Sequence, residues 1–197
     1  MVFPMARPRE FDEQVVIDRA RDCFWSQGVA ATSISDLSEA TGISVGSIYK
    51  AFKSKDALCS LTLDDYLHQA RAQLAATLAD APTPWDGVRT WLDGVIAAAS
   101  DSSPTRGCYA VVLATERAAV DDDVRTLIAE HDRLLRELVG GAVQSGVDAG
   151  QVSGDAAAVA RLICTTVNGL QVEARKGISE ADARATIDTM LAALETT

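Results

Sequence analysis

The stretch ISVGSIYKAFKSK, residues 43–55, combines small, β-branched, aromatic and basic residues. Ser44, Ser47 and Tyr49 carry hydroxyl groups, and Lys50 carries an ammonium group. Such groups bind phosphate oxygens and the edges of bases. The stretch has no catalytic dyad and no metal-ligand spacing, so its chemistry is that of binding a polar, anionic surface at close range.

The residues around this stretch predict two short helices joined by the turn TGIS. SISD at 33–36 has the pattern of a capping box, and the helix that it opens ends at Gly42. Ser44 can cap a second helix, whose inward-facing residues include Ile48 and Phe52. This is the spacing of a helix-turn-helix, in which the second helix enters the major groove of DNA. The pattern therefore indicates DNA binding.

Two groups of residues are predicted to contact DNA. Small residues that open the second helix allow its backbone to approach the bases, while Tyr49 and Lys50 project from its exposed face. The amides that open the preceding helix, and Lys55 at the start of the next one, are expected to bind phosphates. The predicted contacts are Thr32, Ser33, Ser44, Val45, Gly46, Ser47, Tyr49, Lys50 and Lys55.

The string AATSISDLSEATGISVGSIYKAFKSKDAL resembles the DNA-binding domain of the TetR family of bacterial transcriptional regulators. The similarity covers residues 11–67 and includes Ala-Thr, Gly-apolar-Ser, apolar-Tyr, Phe and Lys-Asp-x-Leu. Ala51 departs from the pattern, because a His or another polar residue is common there, and its absence would remove one phosphate contact. The resemblance implies a DNA-binding regulator, most simply a repressor that a small molecule releases from a palindromic operator.

The fold is predicted to be all-α. Apolar residues recur at helical spacing along almost the whole chain, and no stretch alternates as a half-buried strand does. Three short helices are expected in a DNA-binding domain at residues 1–56. About six more should form a ligand-binding and dimerisation bundle at residues 57–197. Breaks between helices are expected at 80–87, at 100–107 and at 146–155.

The distribution of charge is compatible with an anionic partner in spite of a net charge of −10. Residues 1–56 carry seven basic and eight acidic side chains, whereas residues 57–197 carry eleven and twenty. A charge-balanced N-terminal domain beside an acidic body can meet DNA while the body stays in solution. The basic run ARPR at 6–9 is either an arm for the adjacent minor groove or a solvated terminus.

The resemblance also implies a homodimer, since TetR-like proteins pair through their last long helices. Apolar stripes lie within residues 124–142 and 156–174, and each stripe taken alone is equally suited to the core of a bundle. His131, in the first stripe, is expected to be a hydrogen-bonded interface or core residue. The predicted interface residues are Leu127, His131, Leu134, Leu138, Ile163, Val167 and Leu170.

A small-molecule pocket between the middle helices is a further implication of the resemblance, and its ligand would change the affinity for DNA. Aromatic side chains with polar tips suit the wall of such a pocket. For each candidate taken singly, core packing is the alternative. The predicted lining residues are Tyr66, Trp85, Trp91, Cys108, Tyr109, Val112, Glu116 and Asn168.

RGCYAVVLATE, at residues 106–116, resembles a Gly-Cys segment of some TetR-like regulators, including ones that sense electrophiles or oxidants. Arg106 and a helix N-terminus beside Cys108 would both favour its thiolate form. Oxidation or alkylation of Cys108 is therefore an alternative switch, and a small buried residue at a helix start is the other interpretation. Cys23, Cys59 and Cys164 are expected in the core.

Several other classes of protein lack support. There is no catalytic motif, no paired metal-ligand spacing, no export signal and no apolar run of about 20 residues. We therefore expect a cytoplasmic protein without a cofactor, a metal or a membrane contact, whose chain starts at Met1 or Met5. A helical adaptor that binds protein with its N-terminal domain is the alternative from another class. Salt-dependent DNA binding separates the two.

Overall fold

The computed structural model describes residues 11–100 and 106–196. Within those ranges the chain forms nine α-helices and no β-strand, which confirms the all-α prediction; Val152 and Glu195 form an isolated bridge. The possible arm at 6–9 and the two possible starts lie outside the described residues. The helices are α1 Glu13–Gln27, α2 Ile34–Thr41, α3 Val45–Phe52, α4 Lys55–Asp80, α5 Pro84–Ser100, α6 Tyr109–Glu116, α7 Asp122–Asp148, α8 Ala156–Ala174 and α9 Glu180–Leu194.

The chain divides into two compact units, and the division falls between Leu63 and Asp64, within α4. In the first unit α2 packs against both α1 and α3. Phe24, Leu37 and Ile48, one from each of these helices, are completely buried. Burying such side chains contributes about 1.5–3 kcal/mol each, so this contact holds the turn between α2 and α3 in place. The functional boundary at residue 56 stays a prediction.

Local capping defines the helices of the first unit as the sequence predicted. The Asp36 amide donates to Ser33 Oγ at 3.1 Å, and the Ser33 amide donates to the Asp36 carboxylate at 2.7 Å, which confirms the capping box. Gly42 ends α2 with a φ of 75°, in the left-handed region that favours glycine. Ser44 then caps α3 through the Ser47 amide.

The second unit is built around α5, which packs against α7, α8 and α9. Its core joins Leu92 of α5 to Val139 of α7 and Ile163 of α8, all three buried. Trp85 is also buried, and its indole N–H donates to Glu195 Oε1 at 3.1 Å. The two apolar stripes of the sequence thus pack, in large part, inside this subunit.

Two of the predicted breaks are shorter in the structure than the sequence indicated. α5 already begins at Pro84, because proline suits the first turn of a helix and the Thr83 hydroxyl caps the Asp86 amide. α7 continues to Asp148 through Gly146, where a Cβ would lie 3.3 Å from the Cβ of Trp85. Glycine there allows a close approach of α7 to the Trp85 side chain, so it does not mark a turn.

Candidate nucleic-acid interface and effector region

The N-terminal turn of α3 presents small side chains to solvent. Ser44 and Gly46 are exposed, and Val45 and Ser47 are half-buried. The hydroxyl oxygens of Ser44 and Ser47 lie 2.9 Å apart and share a hydrogen bond. This pair fixes two hydroxyl groups where an approaching base or phosphate could exchange hydrogen bonds with them.

Gly46 has no structural task within the subunit. Its φ is not positive, and among the described residues a Cβ built on it would meet only Ser44 Oγ, at 3.9 Å. Glycine inside a helix is less stable than alanine by up to about 1 kcal/mol. The fold therefore gains nothing from glycine at this position, whereas close approach of the helix backbone to a ligand would require it.

The two faces of α3 differ as a recognition helix requires. Ile48 and Phe52 are buried in the first unit. Tyr49 is 50% exposed, and Lys50 is exposed as well. The anchored face fixes the direction of the helix, and the exposed face offers a phenol and an ammonium group to a partner.

The two predicted contacts before α2 are not equivalent in the structure. Thr32 is 1% exposed, and its hydroxyl donates to the carbonyl of Gly28 at 2.7 Å. The Thr32 hydroxyl is therefore buried and already hydrogen-bonded within the first unit. It is not exposed to a phosphate at the surface. Ser33 is exposed as the N-cap, and hydrogen bonding from Ser33 lowers the pKa of the Asp36 carboxyl beside it.

Lys55 is half-buried and bonded within its own unit. Its ammonium group donates to the carbonyl of Val29 at 2.8 Å and to that of Thr32 at 2.9 Å. The sequence could not show these bonds, because their partners lie 26 and 23 residues earlier in the chain. The predicted phosphate contact of Lys55 stays a prediction.

Among the predicted effector residues, the structure brings together Tyr66, Cys108 and Tyr109. The Tyr66 hydroxyl donates to Cys108 Sγ at 3.4 Å. The rings of Tyr66 and Tyr109 meet edge to face, with their centroids 5.6 Å apart. Tyr66 and Cys108 are half-buried, whereas Tyr109 is fully buried. The N-terminus of α6 thus lies against α4 through one aromatic pair and one thiol.

Gly107 places Cys108 at this position. Its φ is 65°, and a Cβ would lie 2.8 Å from the carbonyl oxygen of Gln171 and 2.9 Å from Arg175 Cγ. The residue before Cys108 must therefore be glycine both for its backbone conformation and for the close approach to the end of α8. Cys108 itself occupies the N-cap of α6 without a capping bond from its side chain.

The other predicted effector residues differ in how far they are buried. Val112 is buried, Trp91 and Glu116 are half-buried, and Asn168 is exposed on α8. Trp85 belongs to the core, where its N–H is bonded to Glu195. This packing is the alternative that the sequence left open for each candidate, and a pocket-lining role for Trp85 stays a prediction.

Two family models match the chain, each over one of the regions just described. Residues 16–60 match the model of bacterial regulatory proteins of the tetR family. Residues 84–190 match the model of the tetracyclin repressor-like C-terminal domain, which spans more than half of the chain. The chain belongs to the TetR family. This is a family of transcriptional regulators, and the resemblance found in the sequence is confirmed.

Individual TetR-family proteins are similar to this chain along most of its length. The transcriptional repressor ComR of Escherichia coli K12 is 26% identical over 181 residues, covering 88% of this chain and 84% of its own. A cysteine variant of the regulator CifR, solved with a 26-base-pair operator duplex, is 30% identical with a TM-score of 0.78, covering 96% of this chain and all of its own. A regulator from Agrobacterium tumefaciens, 24% identical, shows the same fold with a TM-score of 0.83 over 93% of this chain and 97% of its own.

The predicted dimer residues of this TetR-family chain separate into two groups. Ile163, Val167 and Leu170 are buried in the core of the second unit. Their side chains pack inside one subunit, which corrects the prediction that they meet a partner. The residues on α7 are half-buried, namely Leu127, His131, Leu134 and Leu138. The large apolar side chains that α8 exposes are Leu162 and Val172, at 47% and 39%.

His131 is hydrogen-bonded, as predicted, and its partner is Arg71 of α4. The Arg71 guanidinium donates to His131 Nδ1 at 3.2 Å. Burial, together with the positive charge of Arg71, lowers the pKa of His131 to about 4. The imidazole is therefore neutral at physiological pH and links α4 to α7.

Two further properties concern the described ranges 11–100 and 106–196. Within them, His, Cys, Asp and Glu side chains form no group of three that could hold a metal ion. None of the described helices combines the length and the apolar character that a membrane-spanning segment needs.

Proposed function

We propose that this TetR-family regulator is a repressor that binds a palindromic operator as a homodimer and leaves it when a small molecule binds. The observation that carries the proposal is the outer face of α3. Gly46 serves no purpose in the fold, while Tyr49 and Lys50 extend into solvent beside it. A face of this kind fits a helix that approaches the bases closely.

In this proposal α3 lies in the major groove. Ser44, Ser47 and Tyr49 supply hydroxyl groups to bases or phosphates, and Lys50 supplies a positive charge. Val45 is half-buried and contributes an apolar contact from the edge of the same face. Ser33 and the amides of the first turn of α2 face a neighbouring phosphate. The operator complex of CifR, 30% identical over nearly the whole chain, supports this assignment.

A two-fold dimer would place two copies of α3 one helical turn of DNA apart, about 34–36 Å. The proposed contact uses the exposed side of α8, where Leu162, Gly169 and Val172 are solvent-accessible. Within residues 11–100 and 106–196, no other side chain lies within 4 Å of a Cβ built on Gly169, so this part of α8 has room for a second helix. Large apolar side chains beside a small residue suit such helix packing.

The effector is proposed to bind near Tyr66 and Tyr109. Tyr66 lies on α4, the same helix that begins in the first unit at Lys55. A ligand that changed the contact between α4 and α6 would change how α4 is held, and the first residues of α4 belong to the DNA-binding unit. Binding energy that differs between two positions of α4 is what couples the ligand to DNA.

The experiment that tests this function is selection of binding sites from random duplex DNA, followed by anisotropy titration of the best site at several salt concentrations. We expect a palindromic site and a steep decrease in affinity with increasing salt. If no sequence is enriched and no salt-dependent binding is seen, the repressor proposal fails. A protein partner for an adaptor would then be the next target.

The contact of Cys108 with Tyr66 favours a second way of releasing the same regulator. Cys108 is half-buried, and its Sγ accepts a hydrogen bond from the Tyr66 hydroxyl. An electrophile that bonds to the sulfur would displace this hydroxyl and enter the space between α6 and α4. The switch would then be covalent and would act on the same contact as the small molecule.

N-ethylmaleimide tests the covalent switch. The thiolate sulfur adds to one alkene carbon of the reagent, and the other alkene carbon takes a proton from water. We expect the wild-type protein to leave its operator after treatment and the Cys108→Ser variant to stay bound. Release of both proteins at the same rate would exclude Cys108 and point to another thiol.

A further inference from the structure

The segment between α3 and α4 contains two lysines in different surroundings. Lys55 is half-buried, and two of its three ammonium N–H groups already donate to the carbonyls of Val29 and Thr32. Lys53 is exposed. Two residues of the same type and almost the same position in the chain therefore differ in what they can offer to a partner.

The backbone of Lys53 adopts a conformation that favours glycine. Its φ is 70° and its ψ is −50°, and the Ser54 amide donates to the carbonyl of Phe52 at 2.9 Å. These values describe a γ-turn with positive φ, which is rare and strained for a residue with a Cβ. Among the described residues, Lys53 is the one non-glycine residue with positive φ. Glycine would avoid this strain, so the reason for a lysine at this position lies in its exposed side chain.

Lys53 is attached directly to the recognition helix. It is the C-cap of α3, and its amide donates to the carbonyl of Tyr49 at 3.0 Å. Tyr49 is one of the exposed residues of the DNA-binding face. The backbone of Lys53 is thus fixed to the last turn of the helix that the proposed function places in the groove.

Lys55 is instead attached to the turn that leads into α2. Its two acceptors enclose residues 29–32, in which the Thr32 hydroxyl also bonds to Gly28. The next residue is Ser33, the N-cap of α2. The ammonium group therefore fixes where α2 begins, and with it the direction of the amides in its first turn.

We propose that Lys53 contacts a phosphate of DNA and that Lys55 is a positioning residue for the start of α2. This division of tasks rests on the proposed function and adds Lys53 to it. It also replaces the phosphate contact that the sequence predicted for Lys55. In this division of tasks, a lysine at position 53 adds an ionic contact that glycine cannot make, and this contact offsets the strain of the turn.

The test compares Lys53→Met with Lys55→Met in the full-length protein, on the selected operator and on an unrelated duplex. Lys53→Met should flatten the slope of log affinity against log salt concentration by about one unit on both duplexes. Lys55→Met should leave the slope unchanged, lower the affinity and speed amide hydrogen exchange in residues 28–36. Lys176→Met, which removes a positive charge paired with Glu173 in the second unit, is the control and should leave both readouts unchanged.

Lys53→Gly separates strain from charge. It should flatten the salt slope as Lys53→Met does, and it should unfold at a higher temperature than Lys53→Met, because glycine adopts a φ of 70° without strain. A wild-type slope for Lys53→Met, or a one-unit change for Lys55→Met, would overturn the division of tasks while the regulator remains a DNA-binding protein. Absence of salt-dependent binding by the wild-type protein would overturn the proposed function itself, and the inference with it.

Discussion

At the scale of single residues, glycine positions in this chain differ in what they require. Gly46 has room for a side chain and an ordinary φ, whereas Gly107 has neither. The same residue type therefore fits the proposed close approach to DNA at one site and internal packing at the other. Substitution by alanine distinguishes these two reasons. At Gly46 it should raise stability and weaken DNA binding, whereas at Gly107 it should lower stability.

Gly46→Ala should stabilise the protein and weaken operator binding. Alanine adds helix propensity worth up to about 1 kcal/mol, while its methyl group would separate α3 from the bases and lower affinity roughly tenfold or more. Chemical unfolding and anisotropy titration measure the two effects. Gly94→Ala, at an open position of α5, is the control and should stabilise without changing affinity. Wild-type affinity for Gly46→Ala would mean that this turn of α3 does not approach DNA closely.

At the scale of helices, the second unit depends on contacts that fix α6 and α7 against their neighbours. Gly107 permits the approach of the α6 N-terminus to α8, and His131 joins α7 to α4. Gly107 also directly precedes Cys108, which the proposed covalent switch uses. Substitutions at Gly107 or His131 should change the stability of the second unit more than they change DNA binding.

Gly107→Ala should destabilise the second unit by about 2 kcal/mol, since both the positive φ and the 2.8 Å approach to the Gln171 carbonyl oppose a methyl group. Urea unfolding measures this loss. Gly150→Ala is the matched control, because Gly150 has a φ of 71° but no neighbour within 4 Å of its Cβ. Gly150→Ala should lose only the part of the stability that is due to the positive φ. Equal losses for the two variants would show that the approach of α6 to α8 is not tight.

Acid should weaken the contact between α4 and α7. The pKa of His131 is about 4 in the folded protein and near 6.5 in the unfolded chain, so folding favours the neutral imidazole. This contribution is complete above pH 6.5 and is lost as the pH falls towards 4. We expect it to amount to about 1–2 kcal/mol after allowance for solvent screening.

Unfolding of His131→Gln between pH 7 and pH 4.5 measures this contribution, because glutamine can accept the Arg71 bond but does not titrate in this range. The variant should lose less stability than the wild-type protein on acidification. His68→Gln, at an exposed position, is the control and should follow the wild-type curve. A wild-type curve for His131→Gln would assign the acid sensitivity to other groups.

At the scale of the whole molecule, the proposed dimer would recognise DNA with the help of a surface that lies far along the chain from α3. Leu162→Glu places a charge on the exposed side of α8 and should give a folded monomer. A monomer would bind the operator through one α3 helix instead of two, so operator affinity should fall about 100-fold or more. Sedimentation, circular dichroism and anisotropy follow assembly, fold and binding in parallel.

Val120→Glu is the control for this substitution, since Val120 is 76% exposed in the segment between α6 and α7. It introduces the same charge at another apolar surface position and should leave assembly and binding unchanged. A dimeric Leu162→Glu protein with full affinity would mean that the subunits pair through a different face.

The sequence by itself determined the helices of the first unit and the face of α3. Capping boxes, C-terminal glycines and apolar spacing act between residues at most four positions apart, so their patterns are visible in one dimension. Ser33 with Asp36, Gly42 and Ser44 each appear in the structure in the predicted role. The sequence could also show that residues 156–174 have a buried face.

Only the tertiary structure decided what those faces and charges meet. Periodicity shows that Ile163 is buried but not whether its neighbour belongs to the same subunit, and the core of the second unit contains it. Lys55 finds its acceptors more than 20 residues away, and the Tyr66 hydroxyl finds Cys108 at a separation of 42 residues. Such contacts depend on how helices pack in three dimensions, and no local pattern records them.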